Sequence, residues 1–111
     1  MIERPPKQVY FLRADVGRPM IKIGCTRWPD ARLRNFQRWS PAPLSLAASI
    51  VGDHKLERRF HAAFLAEHSH QEWFFGSPRL LAAIEMIRAG NFDTARLPKG
   101  VNLYQPPRAA A

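Results

Sequence analysis

Three side chains of complementary chemistry stand where the local pattern turns them away from a core: the phenol of Tyr10, the guanidinium of Arg32 and the carboxylate of Glu57. Tyr10 lies in Val9-Tyr10-Phe11-Leu12, a β-branched and aromatic run that reads as a strand. Arg32 falls one turn into a helix, and Glu57 one turn into another. His61 follows Glu57 by four residues and shares its helical face. Each residue alone has an ordinary reading. A strand tyrosine packs its ring, a helix arginine is solvated, and a first-turn glutamate complements the helix dipole. His61 reads either as a proton-exchanging partner of Glu57 or as a half-buried helix histidine.

The charge balance gives these residues a direction. Seventeen Lys and Arg against nine Asp and Glu leave a net charge of +8 on 111 residues, and thirteen of the cations are Arg. The planar fork of Arg matches phosphate oxygens, so the surplus favours a polyanionic partner, of which nucleic acid is the commonest. A solubility surface or a membrane-facing basic patch is the alternative, but no strongly basic amphipathic helix supports the latter. Arg34 and Arg38 lie one turn apart on the outer face of the first helix, Arg27 stands at its start, and Arg58 and Arg59 follow Glu57. These five are the candidates to track a phosphate backbone, a contact that carries no sequence information. His54, His61 and His68 recur every seven residues, which is two helical turns or about 10 Å, too far apart to share one zinc ion. A single cysteine, Cys25, excludes an internal disulfide framework. With no signal-like or membrane-length apolar run, the expectation is a soluble, intracellular, cytoplasmic protein.

Positioning these groups falls to a short series of elements. Residues 1–7, with Pro5 and Pro6, read as an extended lead-in. Val9–Leu12 and Ile21–Gly24 read as two strands joined by the turn chemistry of Asp15, Gly17 and Pro19. Alternation places Tyr10 with Leu12 on one face, and Lys22 opposite Ile21 and Ile23. Pro29 and Asp30 start a helix that runs to about Trp39, with Leu33 and Phe36 facing inward. Leu44–Val51 reads as a third strand. Asp53 caps a second helix whose buried stripe is Leu56, Phe60, Ala63 and Phe64. Glu67–Gln71 separates it from Glu72-Trp73-Phe74-Phe75, where Trp73 and Phe74 either stack on bases or, as the default after a polar loop, close the core. Ser77-Pro78 caps a third helix to about Arg88. The order β-β-α-β-α-α predicts an α/β (α+β) domain over residues 8–90, with a small three-stranded, mainly antiparallel sheet flanked by helices. Residues 91–111, with Pro98, Gly100, Pro106 and Pro107, are a tail or an arm laid over the domain.

Val9-Tyr10, Lys22-Ile23-Gly24-Cys25-Thr26, Arg32-Leu33, Glu57 with His61, and Glu72-Trp73-Phe74 follow one another within residues 8–75. In this order and register they resemble the GIY-YIG nuclease superfamily, with Gln8-Val9-Tyr10 in place of Gly-Ile-Tyr and Lys22-Ile23-Gly24 in place of Tyr-Ile-Gly. The closer likeness is to its phage and fungal branch, often labelled "meiotically up-regulated", which is consistent with a bacterial or phage-encoded protein. The resemblance implies a metal-dependent endonuclease that hydrolyses phosphodiester bonds in DNA. Its catalytic positions would be Tyr10, Lys22, Arg32, Glu57 and His61. Glu57 would hold a single divalent ion, Mg²⁺ or Mn²⁺, and Arg32 would brace the non-bridging oxygens. Tyr10 would position or deprotonate the attacking water, the latter role requiring a lowered pKa, and Gly24 would let the backbone run close to substrate.

Three departures set the alternative. Lys22 stands where the wider superfamily has a second tyrosine, Phe36 stands where many members carry Tyr or His and is read as core, and a late asparagine of some members has no clear counterpart. The competing reading is a catalytically silent nucleic-acid-binding or protein-interaction module on the same scaffold. With no targeting module in view, specificity would need a homodimer, a targeting partner or a particular DNA structure.

Overall fold

The middle of the sheet is a hairpin of two long strands, β1 (Gln8–Asp15) and β2 (Pro19–Thr26), in continuous antiparallel register from Gln8↔Thr26 to Asp15↔Pro19. The structure is a computed structural model that describes residues 3–104; the start of the lead-in and the end of the tail, including Pro106 and Pro107, lie outside the described residues. After the hairpin come α1 (Pro29–Trp39), β3 (Leu44–Val51), α2 (His54–Ala63), β4 (His68–His70), β5 (Trp73–Phe75) and α3 (Pro78–Arg88). The fold is α+β, as the element order predicts. The sheet has five antiparallel strands in the order β3-β1-β2-β5-β4, where three are expected from the sequence. The two additional strands are short, with three residues each, and come from the polar stretch and the aromatic run that follows it. Too short to show a period of their own, they form by adding to the edge of β2.

Alternation divides the sheet into two unlike faces. Val9, Phe11, Ile21 and Ile23 point to the core, where Phe60, Phe64, Phe74, Leu80, Ala83, Ile84 and Ile87 close over them. Phe11 and Phe60 meet edge to face with ring centroids 5.2 Å apart. Asp53 caps α2 by accepting from the Lys55 amide, and Ser77 caps α3 by accepting from the Leu80 amide, so both helices start where their sequences place them. Glu67, buried beside α3, accepts from Ser77 Oγ and Arg79, which ties the α2–β4 connection to the start of α3.

The opposite face carries Tyr10, Leu12, Lys22 and Gly24 and is covered by α1. None of the residues of α1 is fully buried. Leu33 and Phe36, expected to face a core, are only half-buried, and the Phe36 ring meets the Lys22 ammonium of the sheet. The helix therefore rests on the sheet with space beside it. Among the described residues, no helix is long and apolar enough to cross a membrane.

Candidate active site

The hairpin register sets Tyr10 opposite Gly24 and Leu12 opposite Lys22, so the phenol and the ammonium rise from one face of adjacent strands. Gly24 has a local task. A Cβ there would overlap the Tyr10 hydroxyl and ring, so the glycine makes room for the phenol that lies across it. This corrects the expectation that Gly24 clears a path for substrate: its missing side chain is filled by Tyr10.

The second half of β2 is where the other groups gather. β5 pairs only with Met20–Lys22, leaving β2 from Ile23 onward without a strand partner on that side. The Ile23 amide donates to the Glu72 carbonyl at 3.0 Å, and the Ile23 carbonyl accepts from His61 Nε2 at 3.0 Å. A buried edge must satisfy its backbone groups, and α2 does this with a side chain. That bond brings His61, and Glu57 one turn before it, to the rim of the sheet beside Tyr10. The result is a cavity of about 510 Å³ lined by all five expected catalytic residues, Tyr10, Lys22, Arg32, Glu57 and His61.

Glu57 is the electrostatic centre of the cavity. It is buried, with His54 Nδ1 3.1 Å from one carboxylate oxygen and His61 Nε2 3.5 Å from the other. Burial, followed by the charge of Glu72, pushes its pKa up to about 8, against the pull of Arg58 and Lys22. Burial lowers the pKa of His61, so the ring is neutral with its proton on Nε2 toward Ile23. It is a buried, committed side chain and not the half-buried histidine that is the ordinary alternative. Tyr10 departs from expectation. Burial and then the Glu72 charge raise its pKa well above the ordinary phenol value, with Arg32 opposing too weakly to reverse them. Burial, reinforced by Glu72, holds the phenol protonated instead of priming it as a base.

Lys22 is also buried, its ammonium 4.8 Å from the Phe36 ring centroid and 5.8 Å from that of Trp73. Phe36 is thus a cavity wall under a cation, correcting its reading as core. Arg32 is exposed and reaches the cavity from the first turns of α1. Among the backbone-tracking candidates, Arg34 and Arg38 are exposed on α1, and Arg58 is exposed and lines the cavity. Two others have internal partners. Arg27 donates to the Pro5 carbonyl at 2.8 Å and holds the lead-in, while Arg59 donates to the Leu97 carbonyl at 2.8 Å and the Pro98 carbonyl at 3.3 Å.

Of the cavity residues that the sequence did not mark as site residues, Glu72 and Asn102 carry the most chemistry. Glu72 sits in the β4–β5 turn and was visible only as the first letter of a closing Glu-Trp-Phe. Asn102 belongs to residues 91–104, which fold back as an arm over α2, with the Val101 amide donating to the Arg58 carbonyl at 3.2 Å. Tyr104 Oη, from the same arm, donates to Glu72 Oε1 at 3.3 Å. No periodicity marks an arm of this kind, so nothing in the sequence placed an asparagine in the cavity.

Two donor sets share Glu57, one with His61 and Glu72 and one with Cys25 and His54, each with ligand atoms within 4.8 Å of one another. The first suits a hard divalent ion, because the buried Glu57 carboxylate with the half-buried Glu72 beside it gains from an added positive charge. The second is disfavoured, since burial raises the Cys25 pKa and a metal needs the thiolate. His54 and His61 approach opposite oxygens of Glu57, and His68 lies apart against Phe74.

Comparison with known proteins adds one finding. The family model of the T5orf172 domain matches residues 7–88, from the strand that carries Tyr10 to the end of α3. No curated protein and no solved structure matches the chain. The arm that carries Asn102 lies beyond the matched residues, whereas the other cavity groups discussed lie within them. The family is compatible with a nuclease-like or DNA-binding role, and the chain, matched over most of its length, belongs to the T5orf172 domain family.

Proposed function

We propose that the protein is a metal-dependent endonuclease of the GIY-YIG type that hydrolyses phosphodiester bonds in DNA. The observation that carries this reading is the convergence of a buried carboxylate, Glu57, with Tyr10, Arg32 and Lys22 around one cavity. A site for phosphodiester hydrolysis needs a group for the attacking water, cations for the phosphate oxygens and a seat for a divalent ion; these residues supply all three.

Glu57 and Glu72 would hold the ion, Mg²⁺ or Mn²⁺, which supplies positive charge to the phosphate as negative charge accumulates on it. Arg32 presents its fork to the non-bridging oxygens, and Lys22 adds a second cation from the sheet. Tyr10, kept protonated by its surroundings, orients the attacking water through its hydroxyl. His61 fixes the α2 backbone against Ile23 and so sets where Glu57 stands. Asn102 offers an amide from the arm, the counterpart that the resemblance lacks in the sequence.

The test is cleavage of supercoiled plasmid with Mg²⁺ or Mn²⁺, beside a chelator control and the variants Glu57→Ala and Arg32→Ala. Nicking that needs the metal and falls by about a hundredfold or more in each variant supports the reading. Nicking that survives Glu57→Ala ends it. The raised pKa of Tyr10 favours a second reading, a nucleic-acid-binding module without catalysis. Salt-sensitive DNA binding with no cleavage in any metal would establish that reading instead.

A further inference from the structure

The cavity occupies only half of the sheet face that it shares. On that face the Lys22–Trp73 pair is followed by Met20–Phe75, and among the described residues the space beside them is walled by strands and connections and not by a helix. Here a cleft of about 450 Å³ opens between the α1–β3 connection and the β4–β5 hairpin. Its walls include the flat rings of Trp73 and Phe75, with Met20 and Leu44 as further apolar surface and Arg18 and His70 as polar groups. The Arg18 guanidinium sits 4.0 Å above the Phe75 ring centroid, and His70 Nδ1 is hydrogen-bonded to Ser69 Oγ at 2.9 Å. Trp73 lines the cleft, and the Lys22 ammonium that lines the neighbouring cavity lies 5.8 Å from its ring centroid.

We propose that this cleft is a subsite for an unpaired nucleobase of the strand whose phosphate enters the neighbouring cavity. The proposal rests on the nucleic-acid reading above and narrows its substrate class to strands with a base outside the duplex stack. Three features select a base as the occupant. The cleft adjoins the site that takes the phosphate, since Trp73 of the cleft lies 5.8 Å from the Lys22 ammonium that lines the cavity. Trp73 offers an aromatic ring to stack on, the Arg18 guanidinium held over the Phe75 ring offers a second planar group that stacks on bases, and His70 adds a polar edge. The net charge of +8 draws a polyanion to this surface and gives an uncharged apolar partner no comparable attraction. A paired base cannot use the cleft, since its faces are already stacked in the duplex.

Equilibrium binding at fixed salt tests the idea with a short oligothymidylate and an abasic strand of the same phosphate count. The chain is used in full, with catalysis suppressed by chelator. The oligothymidylate is expected to bind about tenfold more tightly than the abasic strand. Phe75→Leu keeps an apolar side chain and removes the π-face that holds the Arg18 guanidinium, and should erase most of that difference while leaving affinity for the abasic strand unchanged. Arg18→Ala, a surface change that leaves the core intact, should reduce the same preference. Equal binding of the two strands overturns the subsite, as does a Phe75→Leu variant that folds and retains the full preference. In those cases the cleft is free for an apolar side chain of a protein partner. Absence of binding to any nucleic acid overturns the underlying reading as well, so the two failures are distinguishable.

Discussion

Glu57 and Glu72 enter one cavity from different elements, α2 and the β4–β5 turn, and bring carboxylate oxygens within 4.8 Å of each other. Two carboxylates this close repel each other, and burial of Glu57 adds to the cost of ionising it. The pair therefore stores a proton at neutral pH that either group alone in water would release. Tyr104 adds a third group, donating to Glu72 from the arm. This arrangement links metal affinity, stability and pH through one pair of residues.

Stability should fall as pH rises through the range set by Glu57. Its folded-state pKa is about 8 against an ordinary 4.5, so the unfolded chain gives up the proton first. The favourable contribution is complete below about 4.5 and is lost progressively as pH approaches about 8. Glu57→Gln removes the titration. Thermal melts across this range should show the variant gaining on the parent as pH increases; a constant difference in Tm would contradict the raised pKa.

Metal binding should run the opposite way. A divalent ion at the pair displaces the stored proton, so Mn²⁺ affinity should rise by about tenfold per pH unit until the pair is ionised near pH 8. Titration calorimetry in buffers of different ionisation enthalpy would register about one proton released per ion. Glu72→Gln should weaken binding and reduce the pH dependence. Mn²⁺ affinity that is flat with pH would place the ion elsewhere.

Much of this arrangement was legible in the sequence, and the rest was hidden for identifiable reasons. The strand alternation of Tyr10 and Lys22, the caps at Asp53 and Ser77 and the extent of β3 and the three helices are local features, and they are found where local signals place them. Glu72 and β5 depend on pairing with β2, whose partner is far away in the chain. The roles of Arg27 and Arg59 depend on carbonyls supplied by the lead-in and the arm, so their charge alone suggested a surface task that internal partners occupy. The pKa of Tyr10 could not be read from residue types. Cations near a phenol imply a lowered value, yet burial and Glu72 outweigh Arg32.

Gly24→Ala should disable the site through Tyr10. The new methyl group meets the phenol ring in a space with no slack, and the ring must leave its place opposite residue 24. Overpacking of this kind costs about 1–3 kcal/mol of stability. The loss of cleavage should approach that of Tyr10→Phe, while DNA affinity changes little because Arg34 and Arg38 are untouched. If Gly24→Ala cleaves plasmid normally, the position of the Tyr10 hydroxyl is not critical to the reaction.

The arginines should divide into two groups by salt dependence. Arg34 and Arg38 are exposed on α1, so Ala at either position should weaken DNA binding uniformly across sequences and reduce the salt slope by about one. Arg27 and Arg59 instead hold the lead-in and the arm through backbone carbonyls. Ala at either should lower stability by about 1 kcal/mol, with the salt slope close to that of the parent. Arg59→Ala should also expose the arm near Leu97 and Pro98 to protease, because its guanidinium is the clamp on both carbonyls. Binding isotherms at several salt concentrations, read beside thermal melts, distinguish the groups. If Arg59→Ala flattens the salt dependence as much as Arg38→Ala does, Arg59 is a phosphate contact and the clamp is secondary.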